Sequence, residues 1–208
     1  EDSIMIEFKT PIQTSRFTWN GEEEVEMSPW DSIRYHKHIA QAGLMSMVPG
    51  TGEIKAWVGG INWQHFQYDH IKQGKRQVGS TFKPFVYAAA IMNLGMTPCT
   101  TVSNATFNER GYRVSGTGGT PTLKNALAYS RNPVAVRLMD MGGTDKVIQL
   151  ARDLGVTQEI PRGQLAVALG SSDITIYEML GAYSTFANYG NYMKPEMIWR
   201  IEDANGRV

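Results

Sequence analysis

Apolar and polar positions alternate loosely from Ile4 to Val25, with Phe8, Phe17 and Trp19 among the apolar set and Asn20-Gly21 between its two halves. Alternation around an Asn-Gly pair predicts a β-hairpin, so residues 1–27 are expected to form a small β annex or linker. The acidic run Glu22-Glu23-Glu24 then reads as a solvated turn. Ser28-Pro29-Trp30-Asp31 predicts a helix start: a serine cap, proline at the first helical position and an acid three residues on, with the helix reaching about Lys37. Ala42 to Val48 and Ile54 to Val58 predict two strands joined by the turn Pro49-Gly50-Thr51-Gly52.

From Ser80 onward the spacing changes to a helical one. Phe82, Phe85, Val86, Ala89 and Ala90 mark one helix, with Gly95 as its stop. Thr122 to Tyr129 predicts a second helix. Asn132-Pro133 predicts the cap and start of a third, ending at Gly142-Gly143. Thr144 opens a fourth, which ends at Gly155, and the capping box Thr175-Ile176-Tyr177-Glu178 opens a fifth, which ends near Gly190. Met197 to Glu202 predicts a strand, and Asp203-Ala204-Asn205-Gly206 a turn whose return strand would begin at Arg207. That ending, and the start Glu1-Asp2-Ser3, give the expectation of a chain excised from a longer one and cut inside a sheet.

A chain of 208 residues can bury a core without metals or disulfides. Twenty Lys and Arg balance twenty Asp and Glu, which argues against a nucleic-acid binder working by phosphate neutralisation. Hydrophobic residues at 42% with charged residues at 19% describe a folded chain. A single cysteine, Cys99, allows no internal disulfide and no thiolate metal cluster. No apolar run approaches the roughly 18 residues of a membrane helix. The histidines His36, His38, His65 and His70 show no metal-ligand spacing and read as surface or helix-end residues. The Gly116-Thr117-Gly118-Gly119 cluster follows no clear strand and reads as a flexible loop, and Lys72, Lys75 and Arg76 read as a solvated basic cluster with a smaller share for attracting an anionic substrate.

The chemistry concentrates at Ser80-Thr81-Phe82-Lys83. Serine and lysine three apart share one helix face, and a serine hydroxyl needs a base to take its proton. A lysine serves as that base when desolvation lowers its pKa from about 10.4. Gly79 permits close approach of a substrate, and Pro84 places both residues in the first turn, where the helix dipole disfavours an ammonium and favours an oxyanion. A lone Ser-x-x-Lys is a weak signal. Ser130-Arg131-Asn132 adds a second: a hydroxyl able to relay a proton, and an amide able to hold both a substrate and the lysine. Asn132 as a helix cap is the plainer reading, and both roles can hold together.

These residues resemble the first two motifs of the serine penicillin-recognising enzymes, Ser-x-x-Lys, Ser-x-Asn and Lys-Thr-Gly. The segments 76–85, 130–137, 168–172 and 52–60, with Glu178-Met179 and Phe186-Ala187-Asn188, are similar to the transpeptidase domain of class A bifunctional penicillin-binding proteins of the 1A type. The resemblance implies an α/β (α+β) β-lactamase/transpeptidase-like fold, an antiparallel sheet with a helical subdomain, here the N-terminal portion (28–208) lacking its C-terminal strands. It implies Ser80 as nucleophile, Lys83 as base, Ser130 as proton donor to the leaving group and Asn132 as holder of substrate and lysine, with substrate contacts at Ser80, Ser130 and Asn132. Neither a metal nor a cofactor is implied. The implied partners are peptidoglycan stem peptides ending in D-Ala-D-Ala, β-lactams and cell-wall synthesis proteins. The implied place is the outer side of the bacterial inner membrane, with an anchor outside this sequence.

No Lys-Thr-Gly occurs in the 208 residues. In the family that motif supplies carboxylate contacts and lies beside one oxyanion donor, whose loss typically costs about 3 kcal/mol of transition-state stabilisation. The chain alone is therefore expected to be nearly inactive. The alternatives are a serine β-lactamase, with Glu178 as its candidate for directing the deacylating water, a non-catalytic β-lactam sensor, and a Ser-Lys hydrolase of other amides.

Overall fold

The computed structural model describes residues 2–207, in four two-stranded antiparallel sheets and seven α-helices. The first segment corrects the sequence reading: Asp2–Lys9 is a helix, α1, rather than part of the β annex. Its apolar residues Ile4, Met5 and Ile6 are exposed, while Phe8 packs edge to face on Trp30 at 6.0 Å; Asp2 at its start and Lys9 at its end suit the helix dipole. The hairpin forms at the Asn-Gly turn, with β1 (Ile12–Thr18) paired to β2 (Gly21–Met27).

Helix α2 (Pro29–His38) starts where predicted: Ser28 Oγ accepts from the Asp31 N–H at 3.1 Å and donates to the Asp31 carboxylate at 2.7 Å. It packs on the hairpin. The Phe17 N–H donates to His36 Nε2 at 3.4 Å, and Arg16 stacks over Tyr35. His36 Nδ1 lies 2.8 Å from the Ser32 carbonyl and His65 Nε2 3.1 Å from Glu22, so both rings serve as local braces.

Strands β3 (Leu44–Met47) and β4 (Ile54–Val58) form the expected second hairpin. A short strand absent from the sequence reading follows, β5 (Lys75–Gln77); with only three residues it offers no periodicity to read. Next come a 3-10 turn at Gly79–Phe82 and helix α3 (Lys83–Leu94), stopped at Gly95 in the left-handed conformation (φ 62°). Beyond it lie β6 (Phe107–Glu109), β7 (Tyr112–Val114), α4 (Leu123–Ala128), α5 (Asn132–Gly142) and α6 (Thr144–Asp153). A 3-10 turn at Leu165–Leu169, then β8 (Asp173–Thr175) and α7 (Ile176–Ala187), complete the elements.

Helix α3 is the axis of the core. Phe82, Phe85, Val86, Tyr87, Ala89 and Ala90 are all buried, and α4, α5, α6 and the 165–169 turn pack around it. Alanines on its second half let α5 and α6 approach, while Val134, Val136, Leu138, Met139, Val147 and Ile148 fill the space between. A core of this kind fixes the start of α3 rigidly, which matters because both candidate chemical residues sit there.

Residues 197–202 are not a strand, which corrects the reading of an edge strand there. Glu196 makes an isolated parallel bridge to Glu53, and Met197, Ile198, Trp199 and Ile201 are exposed. The apolar run has no ladder partner among the described residues, so its β propensity has nothing to pair with. The turn at 203–206 does form, with the Gly206 N–H donating to the Asp203 carbonyl at 3.0 Å; Val208 lies outside the described residues.

Helix α7 begins with the predicted capping box. Glu178 receives hydrogen bonds from the Thr157 N–H (2.9 Å), Thr157 Oγ1 (2.5 Å), Gln158 Nε2 (3.3 Å) and Thr175 Oγ1 (3.1 Å). Burial pushes its pKa up, but these donors outweigh burial and hold the carboxyl below the ordinary value of 4.5. The stability it contributes is full above the ordinary carboxylate pKa and is lost as pH falls through the lowered one. Glu178→Ala is expected to cost about 3 kcal/mol at pH 7, the scale of a buried charge with several donors. The difference from wild type, read from urea midpoints, should shrink as pH falls from the ordinary carboxylate range through that lowered value.

Candidate active site

Gly79 and Ser80 lie on a turn clamped from one side. The Val78 N–H donates to the Ser172 carbonyl at 3.2 Å and the Gly79 N–H to the Gly170 carbonyl at 3.0 Å. From the other side Tyr183 of α7 donates its hydroxyl to the Thr81 carbonyl at 2.5 Å. Strand β5 leads into this turn and is itself paired to β8, Arg76 opposite Ile174. Ser80 is therefore exposed on a braced corner at the head of α3.

Lys83 is the first residue of α3 and is only 1% exposed. Its ammonium donates to Ser130 Oγ at 2.8 Å, the Ser130 carbonyl at 2.7 Å and Asn132 Oδ1 at 2.5 Å. Burial holds its pKa below the ordinary lysine value. The structure thus brings Lys83, Ser130 and Asn132 into one cluster, with Ser80 one turn earlier, its carbonyl accepting the Lys83 N–H. Ser80 is exposed, and its Oγ makes no hydrogen bond among the described residues, to Lys83 or to any other group.

Ser130 lies between α4 and α5 with φ 52°, a left-handed backbone that costs a non-glycine residue of order 1–3 kcal/mol. The turn is held by the Ser130 N–H to the Leu127 carbonyl (2.9 Å) and the Arg131 N–H to the Ala126 carbonyl (2.8 Å). This conformation aims both Ser130 oxygens at Lys83. It carries no sequence signal, since no glycine or asparagine occupies the position.

Two expectations are corrected here. The helix cap of α5 is Arg131, not Asn132: Asn132 is already helical, and its side-chain oxygen is taken by Lys83. The loop 116–119 is not loose. Asn104 Nδ2 donates to Thr117 Oγ1 at 2.9 Å and to the Gly118 carbonyl at 3.2 Å, and the loop walls a cavity of about 190 Å³ next to Ser130 and Asn132.

Other residues singled out in the sequence lie apart from the cluster. Lys72 stacks over Tyr177 at 5.5 Å, Lys75 and Arg76 are strand residues, and Cys99 is exposed. Glu178 is occupied by its cap and by Thr157 and Gln158, in a cavity that Ser80 does not line. No group of three or more His, Cys, Asp or Glu is arranged to hold a metal among the described residues. None of the helices there is long and apolar enough to cross a membrane. The sequence reading missed Tyr183, Asn104 and the bracing role of Gly170. Gly170 was within reach, since it belongs to the family-like segment 168–172.

The family described as penicillin-binding protein transpeptidase domain matches residues 42–208, and the family described as penicillin-binding protein middle domain matches residues 1–40. The chain belongs to the penicillin-binding protein transpeptidase family. Penicillin-binding protein 1A of Pseudomonas aeruginosa is 36% identical over 180 residues, 81% of this chain and 22% of that protein. This transpeptidase chain thus spans about a fifth of the length of the curated relatives it matches. The crystal structure of penicillin-binding protein 1A from Haemophilus influenzae superposes with a TM-score of 0.73 at 26% identity, covering 93% of this chain and 29% of that one. The PonA1 protein of Mycobacterium tuberculosis in complex with penicillin V shares the fold, with a TM-score of 0.70 at 22% identity, covering 100% of this chain and 59% of that one.

Proposed function

We propose that this domain is the N-terminal portion of a peptidoglycan D,D-transpeptidase, acting by serine acyl transfer and acylated by β-lactams. The observation that carries the reading is the buried Lys83 ammonium, hydrogen-bonded to both Ser130 and Asn132, one turn along the chain from an exposed Ser80. That arrangement can move a proton in two directions. In its neutral amine form, which burial favours, Lys83 takes the proton of Ser80 Oγ as the oxygen attacks the carbonyl of the penultimate D-Ala. Ser130 Oγ, 2.8 Å from Lys83, gives its proton to the departing D-Ala nitrogen as the C–N bond breaks, and is reprotonated by Lys83. The ester on Ser80 then passes to the amine of a neighbouring stem, forming the cross-link. Asn132 holds Lys83 through Oδ1, which leaves its NH2 group for a substrate carbonyl.

The nucleophile's N–H is one oxyanion donor on this reading. The second comes from the strand that carries Lys-Thr-Gly, a motif outside these 208 residues. The PonA1 structure in complex with penicillin V, whose fold this chain shares, supports β-lactam binding, with acylation of Ser80 as the proposed companion reaction. A β-lactamase reading is the weaker one, because Glu178 is committed to four donors in another cavity. The division into an annex over 1–27 and a catalytic portion over 28–208 is part of the proposal. So are the extracytoplasmic location, the membrane anchor outside this sequence and the association with cell-wall synthesis proteins.

The test is release of D-Ala from a diacetyl-lysyl-D-Ala-D-Ala peptide by a chain extended through the Lys-Thr-Gly strand. Ser130→Ala is expected to slow release by about 10²-fold or more, the usual worth of a positioned proton donor. Release that survives Ser80→Ala would contradict the proposal.

A further inference from the structure

Helix α5 carries Asn132 into the cluster and turns a second face toward the segment 102–119. On that face Pro133 lines the cavity of about 190 Å³ beside Ser130 and Asn132, and Arg137 follows one turn further on. Arg137 takes no part in the proton transfers. Its Nη2 donates to the Ala105 and Thr106 carbonyls, both at 3.2 Å, and its guanidinium stacks over Phe107 at 5.2 Å. Glu109, its carboxylate neighbour, is 3.8 Å away and largely exposed, so that pair contributes little. Arg137 Nε is buried with no hydrogen-bond partner among the described residues, which costs stability. An apolar side chain would fill the space over Phe107 without that cost. What the guanidinium adds is its grip on two carbonyls.

Those carbonyls belong to the segment that shapes the cavity. Asn104, directly before them, receives the Gly118 N–H on its carbonyl at 3.1 Å and gives its own N–H to the Gly119 carbonyl at 2.8 Å. Its side-chain NH2 holds Thr117 Oγ1 at 2.9 Å, and Thr106 Oγ1 receives the Gly116 N–H at 3.2 Å. A Cβ at Gly116 would overlap the Asn104 carbonyl oxygen, so the two layers touch backbone to backbone with no room between them. Arg137 thus grips the layer 104–106, that layer grips 116–119, and Ser115, Gly116 and Thr117 line the cavity together with Ser130 and Asn132. Close-packed layers pass a displacement on rather than absorb it, so a tie made one turn away fixes the wall of the cavity.

We propose that Arg137 is a positioning residue that sets the width of this cavity and, through it, the selectivity of the domain for the acyl side chain of its donor. The inference rests on the transpeptidase reading. A substrate carbonyl held by the Asn132 NH2 group brings the group it carries toward residues 115–117, which line the same cavity. With the wall tied to α5, that group meets a surface already formed. With the tie cut, the segment 104–119 is free to move away from α5, and the same group must order the wall as it binds. A donor without an acyl side chain touches neither form of the wall.

The experiment follows acylation of Ser80 in the chain extended through the Lys-Thr-Gly strand, by benzylpenicillin and by aminopenicillanic acid, the penicillin nucleus without its acyl side chain. Arg137→Met keeps packing over Phe107 and removes both carbonyl ties. It is expected to lower the second-order acylation constant for benzylpenicillin about tenfold, through weaker binding rather than a slower limiting rate, and to leave that for aminopenicillanic acid within about twofold. Arg137→Lys, which keeps a donor for one carbonyl, should fall between wild type and Arg137→Met. Damage to the fold or to the Lys83 cluster would slow both compounds alike. The proposal is overturned if Arg137→Met slows the two compounds equally, changes neither, or lowers the limiting rate for benzylpenicillin while binding holds. Should Arg137→Met not fold, Arg137→Lys carries the same test on a smaller change in the same ratio. The unsubstituted chain tests the underlying reading separately. Acylation there, with selectivity unchanged in Arg137→Met, removes this inference alone; absence of acylation by both compounds removes the transpeptidase reading and this inference with it.

Discussion

Lys83→Met, made in a chain extended through the Lys-Thr-Gly strand, should slow benzylpenicillin acylation of Ser80 by about 10³-fold or more, within the range a general base contributes. The same substitution should leave the fold as stable at pH 7, or more so. The lysine is 1% exposed, and burial lowers its pKa from the ordinary 10.5. Between the lowered and the ordinary value the unfolded chain binds more protons than the folded one, so wild-type stability rises with pH across that window. Below the window the buried charge is a constant cost to folding. Methionine fills a similar volume without the charge, and Ser130 and Asn132, both exposed, can turn to water. Urea midpoints at neutral and alkaline pH give the sign: wild type should gain on the variant as pH rises. A variant that loses several kcal/mol at pH 7 would make Lys83 a structural pin rather than a base held ready at some cost to stability.

Gly170→Ala should cost about 3 kcal/mol of stability, from a left-handed backbone and overpacking together, and slow acylation of Ser80 by about 10²-fold. Gly170 has φ 71°, and an added Cβ would lie 2.5 Å from the Gly79 nitrogen, with the Gly79 carbonyl oxygen nearer still. All of that is backbone, with no flexible side chain to move aside. The only relief is to push away the turn that carries Ser80. Gly163 provides the control: it has the same φ of 71°, but nothing lies within 4 Å of its added Cβ. Gly163→Ala should cost about 1 kcal/mol and leave acylation unchanged. Equal acylation by both variants would show that the 170–172 segment does not position the nucleophile.

The helical half of the fold was legible because its signals are local and repeated. Phe82, Phe85, Val86, Ala89 and Ala90 recur at helical spacing, and Thr175 caps its helix as the sequence suggests. The strands at 75–77 and 173–175 were not legible, because three residues carry no period and their pairing spans almost a hundred positions. The helix at 2–9 was misread because loose alternation and weak amphipathicity look alike over eight residues. At the site, residue types and spacing pointed to Ser80, Lys83, Ser130 and Asn132, and the structure gathers the last two around the Lys83 ammonium. Hidden from the sequence were the left-handed Ser130, the Tyr183 brace and the Asn104 clamp. Each depends on a contact between distant segments or on a backbone angle, neither of which leaves a local pattern.

The most direct test of the central claim, a Ser80 nucleophile served by Lys83, is intact-mass spectrometry after exposure to benzylpenicillin. The extended chain should gain the mass of one penicillin, the gain should vanish in Ser80→Ala, and the 208-residue chain alone should gain it slowly or not at all. A gain that persists in Ser80→Ala, or no gain in either chain length, would contradict the account.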